Sequence, residues 1–202
     1  SKTRMHMKYK NIVFDFGIVI GKLDGRYILS QFCSSEQDLE LLFDVIFSGW
    51  DDLDKGTVDY DENIENVVRR VPAHLEDTVR AFFRGWPEHI LPIRETADFI
   101  RELKDQNVPI YLLSNAPTYF AEWAERIDTL RLFDGIVFSA PLKMAKPEPE
   151  IYQHLFQAYD LKPEECFFID DLERNIKAAK AVGMDGIIFT GDIDAVKQTI
   201  GF

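Results

Sequence analysis

Five short apolar runs punctuate the chain, and segments of helical period follow most of them. Runs rich in β-branched and aromatic residues, closed by polar or glycine positions, read as strands buried on both faces. They predict strands over 11–16, 109–114, 135–139, 166–170 and 186–190. Apolar positions at helical spacing predict helices over 94–106, 118–130, 150–159, 175–182 and 193–200. Gly183 and Gly201 follow two of these as C-terminal stop signals. Strand and helix alternating at these lengths imply an α/β protein with a doubly wound parallel sheet.

About ninety residues separate the first predicted strand from the second, far more than a crossover needs. Residues from roughly 24 to 92 lack strong strand signals and carry helix-period sets instead. They are Leu39, Leu42, Phe43, Ile46 and Phe47; Ile64, Val67, Val68 and Val71; and Val79, Phe82 and Phe83. The expected organisation is a core of residues 1–23 and 93–202, interrupted by a bundle of four helices over 24–92. No internal repeat or low-complexity segment interrupts this plan.

Three of the predicted strands end in reactive side chains. Asn11-Ile12-Val13-Phe14-Asp15-Phe16-Gly17 ends in a carboxylate and then a glycine. Pro109-Ile110-Tyr111-Leu112-Leu113-Ser114-Asn115 ends in a hydroxyl and an amide, and Cys166-Phe167-Phe168-Ile169-Asp170-Asp171 in adjacent carboxylates. A lysine precedes two prolines in Lys146-Pro147-Glu148-Pro149. In open α/β sheets chemistry collects at the C-terminal ends of strands. Each group also has a plain structural reading: Asp15, Ser114 and Asn115 as helix caps, Lys146 as a solvated charge, the acidic pair as the opening of the next helix. Taken together they supply a nucleophile, phosphate-binding donors, a cation and a metal cage.

That set, in that order, resembles the haloacid dehalogenase superfamily over nearly the whole chain. The wording Phe-Asp-Phe-Gly, Leu-Leu-Ser-Asn, Lys-Pro-Glu-Pro-Glu-Ile-Tyr and Ile-Asp-Asp-Leu-Glu-Arg-Asn is most similar to its bacterial sugar-phosphatase branch. The resemblance implies an Mg²⁺-dependent phosphomonoester hydrolase that forms an aspartyl-phosphate on a small phosphorylated metabolite, with a sugar phosphate as the leading expectation. Asp15 is then the nucleophile, Lys146 its charge partner at the phosphate, and Ser114 a phosphate ligand, with Asn115 beside it to orient Asp15 or substrate. Mg²⁺ falls to Asp15, the Gly17 carbonyl and Asp171, with Asp170 direct or through water. Asn175 orients the acidic pair, caps a helix or lies at the surface. The helical insertion becomes a cap controlling access.

Two positions depart from the pattern. Most phosphatases of this family carry a second Asp two residues after the nucleophile, as general acid and base, where this chain has Gly17. Losing a general acid typically costs about 10²–10⁴ in rate. A cap side chain, a water or a good leaving group would have to compensate. Ile18 stands where the family usually has Gly or Asn, and a β-branched residue at positive φ is strained. The gap at Gly17 also raises rivals. A metal-independent 2-haloacid dehalogenase lacks the second Asp, but its fourth motif lacks the acidic pair. A catalytically weak phosphate-binding or regulatory protein would retain the phosphate pocket without turnover.

Other residues are candidates for reading substrate. Trp50-Asp51-Asp52-Leu53-Asp54 and Arg84-Gly85-Trp86-Pro87 place aromatic rings near charge, suited to stacking a sugar and accepting its hydroxyls, or to gluing cap helices together. Lys22 and Arg26 face either an anionic substrate or solvent, and His74 and His89 are either surface residues or candidates for the missing acid.

Composition narrows the class further. A net charge of −12 over 202 residues argues against a nucleic-acid surface, which would be basic, but not against an anionic substrate at a locally positive site. Cys33 and Cys166 do not make a disulfide framework, and the four histidines have no zinc spacing. No run approaches the roughly 20 apolar residues of a membrane helix, and residues 1–10 are polar and basic. The expected setting is the cytoplasm, with no membrane partner; the oligomeric state is left open.

Overall fold

A computed structural model describes residues 6–202; the first half of the polar N-terminal stretch lies outside the described residues. The strands are β1 (Asn11–Phe14), β2 (Gly21–Lys22), β3 (Leu91–Pro92), β4 (Ile110–Ser114), β5 (Gly135–Phe138), β6 (Cys166–Asp170) and β7 (Asp185–Ile188). Five of them form one parallel sheet in the order β5-β4-β1-β6-β7. Every residue of β1, β4 and β6 is buried, because helices cover both faces. Alternation along the pleat divides them between two cores. Ile12 and Phe14 pack with Phe99, Ile100 and Leu103, whereas Val13 packs with Ile151, Tyr152 and Ile176.

Helices α6 (Arg94–Asp105), α9 (Pro149–Ala158), α10 (Glu173–Ala181) and α11 (Ile193–Ile200) fall within two residues of their predicted ends. Gly183 and Gly201 take φ of 94° and 80°, as helix stops require. The predicted helix over 118–130 is not continuous. It is α7 (Thr118–Trp123), followed by 3₁₀ turns over Ala124–Arg126 and Asp128–Leu132, with Ile127 extended between them. A 3₁₀ turn also returns every third residue to the same side, so Phe120, Ala124 and Leu130 stay buried and the periodicity is the same.

β1 lies between β4 and β6, and the chain leaves it in opposite directions along the sheet. That is the topological switch point, where a crevice opens beyond the carboxyl ends of the strands.

The insertion after β2 holds α1 (Gly25–Ser30), α2 (Glu36–Phe47), α3 (Trp50–Lys55), α4 (Tyr60–Val68) and α5 (Glu76–Gly85). Five helices thus replace the expected four, because α1 and α3 are too short to show a period. Contrary to expectation the interval is not free of strands. At its two ends β2 and β3 pair antiparallel, Gly21 with Pro92 and Lys22 with Leu91. Inside, Trp50, Phe82, Phe83 and Trp86 form an aromatic cluster with ring centroids 5.2–6.3 Å apart.

Helix α3 is fastened to the short core helix α8 (Ser139–Leu142). Gly56 ends α3 at φ 79°, and a Cβ there would lie 2.2 Å from the Ala140 carbonyl oxygen. Ser139 Oγ donates to the Asp54 carbonyl and accepts from the Ala116 amide at 2.9 Å. Lys55 pairs with Glu148 at 2.6 Å. No helix among the described residues is long and apolar enough to cross a membrane.

Candidate active site

Strand ends deliver most of the site. Asp15 follows β1 directly; its amide continues the ladder to the Ile169 carbonyl at 2.9 Å, and its Oδ1 accepts from the Phe16 amide at 2.8 Å. Ser114 closes β4 and is 2% exposed. Asp170 closes β6, fully buried, and Asp171 follows, half-buried. Asp15, Ser114, Asn115, Lys146 and Asp171, with the Gly17 backbone, line one cavity of about 260 Å³ at the switch point.

Lys146 organises these acids. Its ammonium donates to Asp15 Oδ1 at 2.9 Å, Asp170 Oδ2 at 2.8 Å and the Leu113 carbonyl at 2.9 Å. All three protons are therefore engaged, so it can offer the cavity charge but no free hydrogen bond. The Asn115 amide holds the lysine backbone from both sides: its Oδ1 accepts from the Lys146 amide at 2.9 Å, and its Nδ2 donates to the Lys146 carbonyl at 3.0 Å. The orienting role expected of Asn115 thus acts on Lys146. Asn175 is 3% exposed and donates to Asp170 Oδ2 at 3.1 Å, so it lies against the acidic pair rather than at the surface.

Burial pushes the Asp15 carboxyl up to about 7; the pull of Lys146 opposes it and the Asp170 charge adds to it. The lysine's own burial works to deprotonate it, but Asp15 and Asp170 outweigh that and hold it charged. Asp171 is raised too, first by burial and then by Asp170, although it lies within hydrogen-bond reach of Asp15.

The donor set fits a hard divalent cation. Asp15, Asp170 and Asp171 each place a carboxylate oxygen within 4.8 Å of the others, and one lysine cannot neutralise three acids. The three acids differ in freedom. Asp170 already accepts from Leu172, Lys146 and Asn175, whereas Asp171 faces the cavity.

Several residues that the sequence flagged lie elsewhere. Arg26 pairs with Glu40 at 2.6 Å, and Lys22 sits exposed on the β2–β3 ribbon. His74 pairs with Asp38 at 3.1 Å, and His89 packs edge-on against Phe32. None of the four lines the cavity. Trp50 and Trp86 hold the insertion together, with Trp86 Nε1 donating to Tyr60 Oη at 2.9 Å, and both rings also line the cavity. Segment 50–54 is helical, and it brings Asp51 and Asp54 to the cavity wall. Sequence reasoning passed over Arg174, which also lines the wall. The signal for it was its place three residues after Asp171, in the first turn of α10.

The chain is similar to several known proteins. A sesquiterpene phosphatase of Aspergillus oryzae is 29% identical over 198 residues, covering 96% of this chain and 97% of that protein. A D-ribitol-5-phosphate phosphatase of Bacteroides thetaiotaomicron is 28% identical over 188 residues, 87% of this chain and 89% of that one. A HAD family enzyme of Bacteroides thetaiotaomicron, solved with magnesium and inorganic phosphate, has the same fold. Its TM-score is 0.73 at 23% identity, covering 93% of this chain and 98% of that chain. The family model for haloacid dehalogenase-like hydrolases matches residues 18–183. By that match the chain belongs to the haloacid dehalogenase-like hydrolase family.

Proposed function

We propose that the chain is an Mg²⁺-dependent phosphomonoester hydrolase in which Asp15 is the nucleophile. The observation that carries this is the convergence of Asp15, Ser114, Lys146 and Asp171 on one cavity at the switch point of the sheet. Phosphoryl transfer depends mainly on positioning and on neutralising charge. Asp15 Oδ attacks phosphorus and displaces the alcohol, and water then releases phosphate from the aspartyl-phosphate. Ser114 holds a non-bridging oxygen through its hydroxyl, Lys146 supplies positive charge, and Asn115 fixes that lysine. Asp15, Asp171 and the Gly17 carbonyl would hold Mg²⁺, with Asp170 behind them. The ion would supply Lewis-acid stabilisation of charge on the phosphoryl oxygens.

The helical insertion, residues 24–92, acts as a cap that shapes the organic side of the cavity. Trp50, Trp86 and Phe120 line that side. Such rings offer contact area to a stacked sugar or to a prenyl-like chain, and the two relatives compared above act on one substrate of each kind. We infer a small phosphorylated metabolite as substrate, handled away from nucleic acid.

The deciding assay is p-nitrophenol release from its phosphate ester, with Mg²⁺ or EDTA, in wild type and Asp15→Asn. Mg²⁺-dependent turnover that disappears in the variant is expected. Turnover that survives either the variant or the chelator overturns the mechanism. Inactivity here with activity on 2-haloacids makes the chain a dehalogenase instead. Comparing a sugar-alcohol phosphate with a prenyl monophosphate then assigns the substrate class by kcat/KM.

A further inference from the structure

The two-step reaction needs a proton donor for the departing alcohol and an acceptor for the proton of the attacking water, and Gly17 offers neither. Packing does not demand a glycine there. A Cβ on Gly17 would meet nothing nearer than Leu23 Cδ1 at 3.7 Å, and the residue is not among those with positive φ. The position has room for a Cβ and carries no acid.

Across the same cavity stands a different carboxyl. Asp54 lines the wall together with Asp15, Ser114 and Lys146, although it comes from the insertion. Its backbone is held rigidly, with Ser139 Oγ on its carbonyl, the Lys55–Glu148 pair beside it and Gly56 pressed on Ala140 two residues later. Building on the phosphatase reading above, we propose that Asp54 is the general acid and base of this site, in place of the residue missing at position 17.

The surroundings of Asp54 suit that work. On its own helix Asp51 repels its charge; from the core Lys146 attracts it and Asp15 repels it, and Trp50 donates a hydrogen bond. Arg174 of α10 lines the same wall. Burial outweighs the rest and lifts the carboxyl from 3.8 to about 7, where it can both give and take a proton near neutrality. His74 and His89 lie outside the cavity.

The proton balance closes over two steps. As Asp15 Oδ bonds to phosphorus and the phosphorus–alcohol oxygen bond breaks, Asp54 gives its proton to the leaving oxygen and becomes a carboxylate. Water then attacks phosphorus and passes a proton to Asp54. The bond between Asp15 and phosphorus breaks, which returns both acids to their starting states and frees phosphate.

Leaving-group dependence tests the proposal. Asp54→Asn is compared with wild type on an alkyl phosphate, whose alcohol needs a proton, and on p-nitrophenyl phosphate, whose leaving group does not. The expected result for the alkyl ester is a fall in kcat/KM of about 10²–10⁴-fold. On the nitrophenyl ester the first-turnover burst of p-nitrophenol should survive, followed by slow turnover as the phosphoenzyme accumulates. Adding Gly17→Asp to Asp54→Asn should restore alkyl phosphate turnover at least tenfold, a rescue that a purely structural role would not show. Equal losses on both esters, burst included, overturn the proposal, as does an unchanged alkyl rate. Wild type inert on both esters would fail the phosphatase reading itself, and the role of Asp54 with it. Activity that depends on Asp15 but not on Asp54 would sink the Asp54 proposal alone.

Discussion

At the scale of single residues, Lys146 and Ile18 show how side chains near Asp15 are constrained. Lys146 is 5% exposed and bonded to two carboxylates and a carbonyl. A buried lysine keeps its charge only with partners of this kind, so a fixed positive charge is built in beside Asp15. Ile18 sits at φ 69° and is 48% exposed. The sequence marked this position as strained if the turn required positive φ, and the turn does. Because the side chain buries little, Ile18→Gly should relieve more strain than it adds in unfolded-state freedom. The expected gain is roughly 1 kcal/mol, read from the urea midpoint. A midpoint that stays put or falls would mean the turn is not strained.

At the scale of elements, the informative piece is α3, six residues that no periodicity reveals. It matters because it is fastened to α8 on one side and presents Trp50, Asp51 and Asp54 to the cavity on the other. Gly56 makes that contact possible. At φ 79° and with the Ala140 carbonyl oxygen 2.2 Å from where a Cβ would be, Gly56→Ala must shift α3 or distort its cap. The expected cost exceeds about 2 kcal/mol in urea denaturation, with lower turnover of alkyl phosphates. Full stability in the variant would show that α3 docks by other contacts. The same scale shows where periodicity misleads. Phe120, Ala124 and Leu130 suit a helix and a pair of 3₁₀ turns equally, and Ile127 in extended backbone decides between them.

At the scale of the whole molecule, the acids outnumber the bases by twelve, and the cavity concentrates that imbalance around Asp15. A divalent cation that relieves it in the folded state alone must stabilise the fold. At a concentration of about 100 times its dissociation constant the gain is about 2.7 kcal/mol. Thermal melts at matched ionic strength should therefore rise with Mg²⁺ in wild type and respond far less in Asp171→Asn. An equal response in both would place the ion elsewhere. Both ends of the insertion meet at the β2–β3 ribbon, where the Ile93 amide donates to the Ile20 carbonyl at 2.9 Å. The insertion thus adds its helices to the core without breaking the sheet.

The parallel sheet and the chemistry at its strand ends were legible in the chain itself. Contiguous apolar residues make a strand buried on both faces, and the residue that follows it must emerge at the crevice. That logic sets Asp15, Ser114, Asp170 and Asp171 at or just past the carboxyl ends of their strands. The three acceptors of Lys146, the grip of Asn115 on its backbone and the arrival of Asp54 from the insertion were decided only by tertiary structure. Each depends on how separate helices and loops pack across the sheet, and no local pattern of polar and apolar residues encodes the distance between groups so far apart along the chain.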